Sequence, residues 1–460
     1  MPTTSHPQTS DSVFPAHTPL VTEPLGLWGS FRAARRNLLG ILPDLAVRQP
    51  MVSGRTGLRW HMVMDPDAIR RILLENVENY PKSRATKNIL RPAIGDSLFI
   101  AEDAHWRWQR RTAAPVFSHR NVMALAPVMS AAAQRSIARI HESQGRPINL
   151  MDDMVRTTFD VISEVTFSDG DTFDSAAVHS AIDAYISAAG RISLMDMVGM
   201  PDWIPRPSRI FGGPAVQQMK QVADQAIEDR RARGPSDVPD LLDLLLAGED
   251  PETKRRMNTS ELRDNILTFI VAGHETTALT LAWSLYLCAF DPQVQARARI
   301  EAQQALQGDP NGITNLPFLR QIVDEALRLY PPAGILSRTA QAPDTLCGRE
   351  VKAGDTVMIP IYALHRHHQL WENPNAFDPE RFADRKAINR YAYLPFGDGP
   401  RICIGASFAL QEAILILAHL LANFEFSLVE DCPPELVMIL TLRPDNGIWL
   451  RARPVHDASE

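Results

Sequence analysis

A mainly helical fold with a small β-rich portion is what this sequence predicts, and three observations predict it. Amphipathic helical patterns follow one another from Ala104 to Leu329. The apolar stretch ending at Phe290 is long enough for one helix of roughly 45 Å, the span of a whole domain. Strand-like runs are short and few, at 58–64, 335–361 and 438–452.

In chain order, residues 1–25 are rich in Pro, Ser and Thr and read as a flexible lead, with a single domain from 26 to 460. Phe31 to Leu42 sets Arg32, Arg35 and Arg36 against Phe31, Leu38, Leu39 and Leu42, and stops at Pro43. It reads as a surface helix packed on the core, with a membrane-surface helix as the alternative. Leu58 to Met64 is a strand; Asp65 then supplies an N-cap and Pro66 a first helical position. Helices are expected over Ala104–Ala114, Asn121–His141, Met151–Phe167, Ala177–Arg191 and Ala215–Arg233, with Pro-rich breaks at 200–207 and 235–239. Thr259 or Ser260 caps the long helix, which Asp291-Pro292 ends. Helices at Val294–Leu306 and Pro317–Leu329 follow, then short strands over Ile335–Ile361. Met438–Ala452 reads as a hairpin turning at Asp445-Asn446-Gly447.

The chain has 460 residues, 45% hydrophobic and 22% charged, enough to bury a large core. A net charge of −7 argues against a nucleic-acid partner. Four cysteines, Cys288, Cys347, Cys403 and Cys432, form no C-x-x-C pair, so a zinc site or disulfide framework is not expected and a reducing compartment is. The N-terminus has neither a signal-peptide pattern nor an apolar run of transmembrane length. A soluble cytoplasmic protein is the expectation.

The densest chemical signal is Phe396-Gly397-Asp398-Gly399-Pro400-Arg401-Ile402-Cys403-Ile404-Gly405, followed at once by an apolar helical run from Ala406 to Leu421. A thiol at a helix N-terminus meets unpaired N–H groups and the macrodipole, which favour a metal-ligating thiolate. Arg401 adds a fixed positive charge, and the glycines let backbone approach a flat cofactor. A buried structural cysteine is the competing reading. A second signal, Ala272-Gly273-His274-Glu275-Thr276-Thr277, lies inside the long helix. Glycine costs about 1 kcal/mol there relative to alanine. Gly273 would leave room for a ligand against the backbone, and a Thr hydroxyl can bond back to a carbonyl and open the ladder. His274 is expected to point away and be structural. A third signal is Glu325 with Arg328, three apart on one helix face. Trp106 and Arg110 stand one turn apart on another.

The Cys403 segment resembles the haem-binding loop of the cytochrome P-450 family, Phe-Gly-x-Gly-x-Arg-x-Cys-x-Gly. The resemblance runs from Trp106 to beyond Cys403. It implies the cytochrome P-450 fold, with haem b between the long distal helix and the Cys-loop helix, and Cys403 as the iron ligand. It implies that Thr276 hydrogen-bonds bound dioxygen and that Glu275 relays protons, with Ala272 and Gly273 beside the cofactor. Glu325 and Arg328 resemble the family's buried pair, completed by Arg381 in Phe377-Asp378-Pro379-Glu380-Arg381-Phe382. Haem contacts are then expected from Trp106, Arg110, Arg338, Phe396, Arg401 and Gly405, and arginines near Arg110 could dock an acidic electron donor. The implied activity is monooxygenation of a hydrophobic molecule (fatty acid, alkane, terpene or aromatic) with O2. The chain leaves no room for a reductase, so electrons would come from separate ferredoxin- or flavodoxin-like partners. A peroxide-driven or isomerising haem-thiolate enzyme and a haem sensor are the alternatives; the Glu275-Thr276 pair favours the monooxygenase.

Overall fold

The computed structural model describes residues 14–167, 213–236, 239–308 and 316–455. The expected helix at 177–191 and the break at 200–207 lie outside them. In chain order the helices are α1 Leu27–Arg36, α2 Pro66–Arg70, α3 Arg84–Ile94, α4 Asp103–Ala113, α5 His119–Ala124, α6 Ala126–His141, α7 Leu150–Thr166, α8 Gly213–Arg233, α9 Leu241–Ala247, α10 Thr259–Phe290, α11 Pro292–Gly308, α12 Pro317–Leu329, α13 Ile361–Leu364 and α14 Ala406–Asn423. The strands are β1 Met51–Thr56, β2 Leu58–Val63, β3 Ile148–Asn149, β4 Leu336–Thr339, β5 Asp344–Leu346, β6 Arg349–Val351, β7 Thr356–Ile359, β8 Phe424–Leu428, β9 Leu436–Met438, β10 Leu442–Pro444 and β11 Trp449–Pro454.

The core is organised around α10, which is apolar on nearly every side and is therefore buried rather than amphipathic. It packs against α7, α8, α12 and α14. Its cap is Asn258, one residue earlier than expected. The Asn258 side chain accepts from Glu261 N at 2.9 Å, and Glu261 accepts from Asn258 N at 3.0 Å. This reciprocal box satisfies two orphan donors, which neither Thr259 nor Ser260 does. Both α10 and α14 are apolar and long enough to cross a membrane, but 72% and 67% of their apolar windows are buried within the fold, as in core helices.

The expected helix over 121–141 breaks at Leu125 into α5 and α6. Pro127 lacks the N–H an uninterrupted helix would use and sits instead in the first turn of α6. The expected hairpin at 445–447 does not form. β9 pairs with β10 through the turn at 439–441, whereas β11 pairs with β8 and β3. Gly447, at φ +80°, lies too close to Asn149 to admit a side chain, and Ile448 N donates to Asn149 Oδ1. The turn residues thus serve a long-range contact. The largest sheet has order β1-β2-β7-β4, and its strand β1 escaped the sequence reading because Ser53, Gly54 and Arg55 break any apolar alternation.

The N-terminal lead is docked from Ala16 onward rather than loose. Tyr286 Oη accepts from Ala16 N, Tyr330 Oη donates to Ala16 O, and Tyr362 Oη accepts from Thr18 N. Three core tyrosines gain partners for their hydroxyls this way. The basic stretch at 31–42 splits at Asn37 into α1 and a 3-10 turn; Ser30 and Ala34 face the core, and Arg32, Arg35 and Arg36 face solvent.

Candidate functional site

The Cys403 loop is a tight backbone structure. Gly397 and Gly399 adopt φ of +68° and +71°, and a side chain on Gly399 would collide with the carbonyl of Leu73. Asp398 is held by Arg390 and by Gly399 N, and Cys403 N donates to Phe396 O at 3.0 Å. α14 then starts, with Gly405 as its N-cap and its N–H directed at the Cys403 sulfur. Protein surrounds Cys403, yet its side chain keeps accessible surface. Burial pushes the thiol above its ordinary value, while the Gly405 N–H, Arg110 and Lys82 pull it back.

The distal motif sits midway along α10. Ala272 is exposed although most of that helix is buried, and Thr276 is half-buried. Thr276 Oγ1 donates to Ala272 O at 2.7 Å, and the helix continues without interruption. Glu275 Oε1 accepts from Thr441 Oγ1 at 3.0 Å. His274 turns toward α7: its Nδ1 meets Ile270 O, its ring packs edge-on against Phe159, and its carbonyl accepts from Thr158. The Cβ position of Gly273 also points at α7, 3.5 Å from Ile162.

Glu325 and Arg328 are fully buried and bidentate, at 2.6 and 2.7 Å. Arg328 also donates to the carbonyls of His365, Pro374 and Ala376. Arg381 Nε stands 3.4 Å from Glu325 Oε1, and Asp378 N donates to the same oxygen. The pair thus clamps the 365–381 segment.

A different cluster gathers beside the Cys403 loop. Lys82 and Arg338 lie side by side through a backbone bridge. Arg401 pairs with Glu102 and lies over the Trp106 ring at 4.6 Å. Arg110 Nη1 donates to Ile402 O at 3.0 Å. Glu102 already holds Lys87, at 3.1 Å. Among the described residues Lys82 and Arg338 have no carboxylate in ion-pair range. Burial, reinforced by Arg401, lowers the Arg338 value to about 10. Burial, reinforced by Arg338 and Arg401, holds Lys82 well below the ordinary lysine range, although the side chain keeps some accessible surface. Of the arginines considered for an electron donor, Arg111 is committed to Asp250 at 2.7 Å, and Arg107 stays exposed beside Glu78.

A family model described as Cytochrome P450 matches residues 51–451. The chain belongs to that family. This P450 is 32% identical over 418 residues to cyclooctat-9-en-7-ol 5-monooxygenase of Streptomyces melanosporofaciens, covering 89% of the chain and 88% of the relative. It is 30% identical to cytokinin hydroxylase of Arabidopsis thaliana, covering 85% and 78%. The crystal structure of the cytochrome P450DA heme domain superposes with a TM-score of 0.78 at 30% identity, covering 88% of this chain and 90% of that one. The fold is the P450 fold, and the protein is a P450 monooxygenase.

Haem is the cofactor the family implies, and the residues present fit it. Two cations without carboxylates, Lys82 and Arg338, suit an anionic group. An accessible thiol precedes α14, and a side chain at Gly405 would meet no protein atom, so the loop leaves room for a flat ring. Lys82 and Thr441 escaped the sequence reading. Lys82 is one lysine after Tyr80-Pro81 with no motif around it, and Thr441 is remote in sequence from the acid it contacts.

Proposed function

We propose that this P450 inserts one oxygen atom of O2 into a hydrophobic small molecule, using haem b and electrons from separate redox proteins in the cytoplasm, and that residues 26–460 act as one domain. The observation that carries the reading is the pairing of an accessible thiol at a helix start with two neighbouring cations, Lys82 and Arg338, that have no carboxylate in ion-pair range among the described residues. Cys403 Sγ would ligate the iron; Trp106, Arg110, Arg338 and Arg401, joined by Lys82, would hold the propionates. Haem, when bound, supplies the site at which O2 is reduced. Thr276 both donates and accepts through its hydroxyl, so it can pass a proton toward the oxygen and take one back. Glu275, half-buried behind it, can hold the replacement proton. Phe396, Ala272 and Gly405 would shape the walls beside the ring. Glu325, Arg328 and Arg381 would fix the segment leading to the thiol and take no part in the chemistry.

The segments proposed to face substrate are 88–100, Phe269, Ile270 and Ala272 of α10, residues 333–336 and the β9–β10 tip; all are mainly apolar. A relative named for a cyclic alcohol substrate favours a ring-bearing hydrophobe over a linear fatty acid. Arg107 is the arginine left to meet an acidic ferredoxin- or flavodoxin-like donor. The deciding experiment is the carbon monoxide difference spectrum of the dithionite-reduced holoprotein. A Soret band near 450 nm, as the family name records, lost in Cys403→Ala, supports the reading. A band that stays at shorter wavelength in the wild type overturns it.

A further inference from the structure

The acid of the distal motif is anchored from the far side of the molecule's sequence. Thr441 lies in the turn at 439–441, where Ile439 N bonds back to Thr441 O at 3.3 Å. The base of this hairpin is fixed. Asn37 donates to Leu436 O and accepts from Met438 N, and Leu442 N donates to Pro332 O. The Met438 side chain fills the space in front of Gly334 and would have to move to admit a side chain there. Leu440 packs on the core. With the turn so held, Thr441 presents its hydroxyl to Glu275 Oε1 at 3.0 Å. Its branched Cβ restricts χ1, which ties the hydroxyl's direction to the turn backbone. A hydroxyl donating to a carboxylate is a charge-assisted bond, stronger than a neutral one.

We propose that Thr441 is a positioning residue for the monooxygenase reaction: it holds the Glu275 carboxylate in the orientation from which it resupplies protons to Thr276. The proposal rests on the function proposed above. It also puts the proton-handling acid and a turn proposed to face substrate on one hydrogen bond.

The test compares Thr441→Val, which keeps shape and removes the hydroxyl, with Thr441→Ser, which keeps the hydroxyl. The first readout is the Glu275 carboxylate stretch in the infrared spectrum of the resting protein, identified by its loss in Glu275→Gln. The second is peroxide formed per pair of electrons supplied to the substrate-free holoenzyme. Thr441→Val is expected to shift the band and raise the peroxide share about two- to fivefold, as the net loss of one ordinary hydrogen bond would. Thr441→Ser is expected to match the wild type in both. An unshifted band in Thr441→Val overturns the positioning claim; a shifted band with an unchanged peroxide share overturns its part in proton supply. A wild type without the 450 nm band sinks the function reading instead, and the infrared arm still judges the contact.

Discussion

The Glu325 cluster and the Lys82 cluster are both rich in cations and both withdrawn from solvent, yet they are built in opposite ways. In the first, Arg328 meets a carboxylate and three carbonyls, and Glu325 is shared with Arg381 and a backbone N–H. Its charges are satisfied by the chain itself. In the second, Lys82, Arg338 and Arg401 crowd around Glu102, which already serves Lys87. Buried charge without a partner is costly, and a fold keeps it where something else supplies the partner. The difference sets a self-sufficient scaffold apart from the cluster proposed to hold the propionates.

Breaking the self-sufficient cluster has the largest expected effect. Glu325→Ala leaves Arg328 buried and unpaired and should cost about 3–5 kcal/mol. Thermal unfolding of the apoprotein reads this, and failure to fold is the extreme of the same result. A loss below about 1 kcal/mol would remove the scaffold half of the comparison.

The open cluster should respond in two directions. Arg338→Leu should weaken haem retention about tenfold, the loss of one charge-assisted contact. The same change should leave apoprotein stability unchanged or raised, because it removes an unpaired buried charge. Haem transfer to apomyoglobin measures the first and denaturant unfolding the second. Equal losses in both would mean that Arg338 is structural.

Lys82 offers a sharper test through pH. Its folded value lies well below the ordinary lysine value of 10.5, so between the two the unfolded chain holds the extra proton. Apoprotein stability should therefore rise with pH through that window relative to Lys82→Met, and the gain is complete above it. Adding haem should flatten the difference, since a propionate restores the charged form. Unfolding series of both proteins, with and without haem, decide this.

The smallest effect belongs to Glu412, a buried carboxyl on α14 beside Thr277 that has no cation in ion-pair range among the described residues. Burial raises its value well above 4.5. The unfolded chain loses its proton first, so stability falls as pH rises above about 4.5. Glu412→Gln should be more stable than the wild type at pH 7, and the two should converge toward pH 4.5. Unfolding at three pH values would show it. Glu325→Gln, by contrast, should be less stable than the wild type, because it removes the partner of the buried Arg328.

Much of the candidate site was legible because its residues are close in sequence. Cys403, Gly405, Phe396 and Arg401 share one loop, Glu275 and Thr276 one turn of α10, and Glu325 and Arg328 one turn of α12. Local spacing is enough to place such groups on one face. Lys82 was not legible, since its company with Arg338 and Arg401 comes from a bridge between distant segments. For Gly273 the helix pattern shows only that a small residue is there, and the contact of its Cβ position with Ile162 of α7 is a fact of the tertiary structure.

By itself the sequence determined the helical class, the position and cap region of α10, the tight Cys403 loop and the placing of Glu325 and Arg328 on one helix face. These follow from short-range sterics and from periodicity, which act within a few residues. Only the tertiary structure decided the strand partners of β11, the docking of Ala16 and Thr18 on three tyrosines, the burial of the Glu325–Arg328 pair, the cation cluster and the Thr441–Glu275 bond. Each joins segments far apart in the chain, and its free energy exists only after the entropy of closing that long loop has been overcome by the packing of everything between.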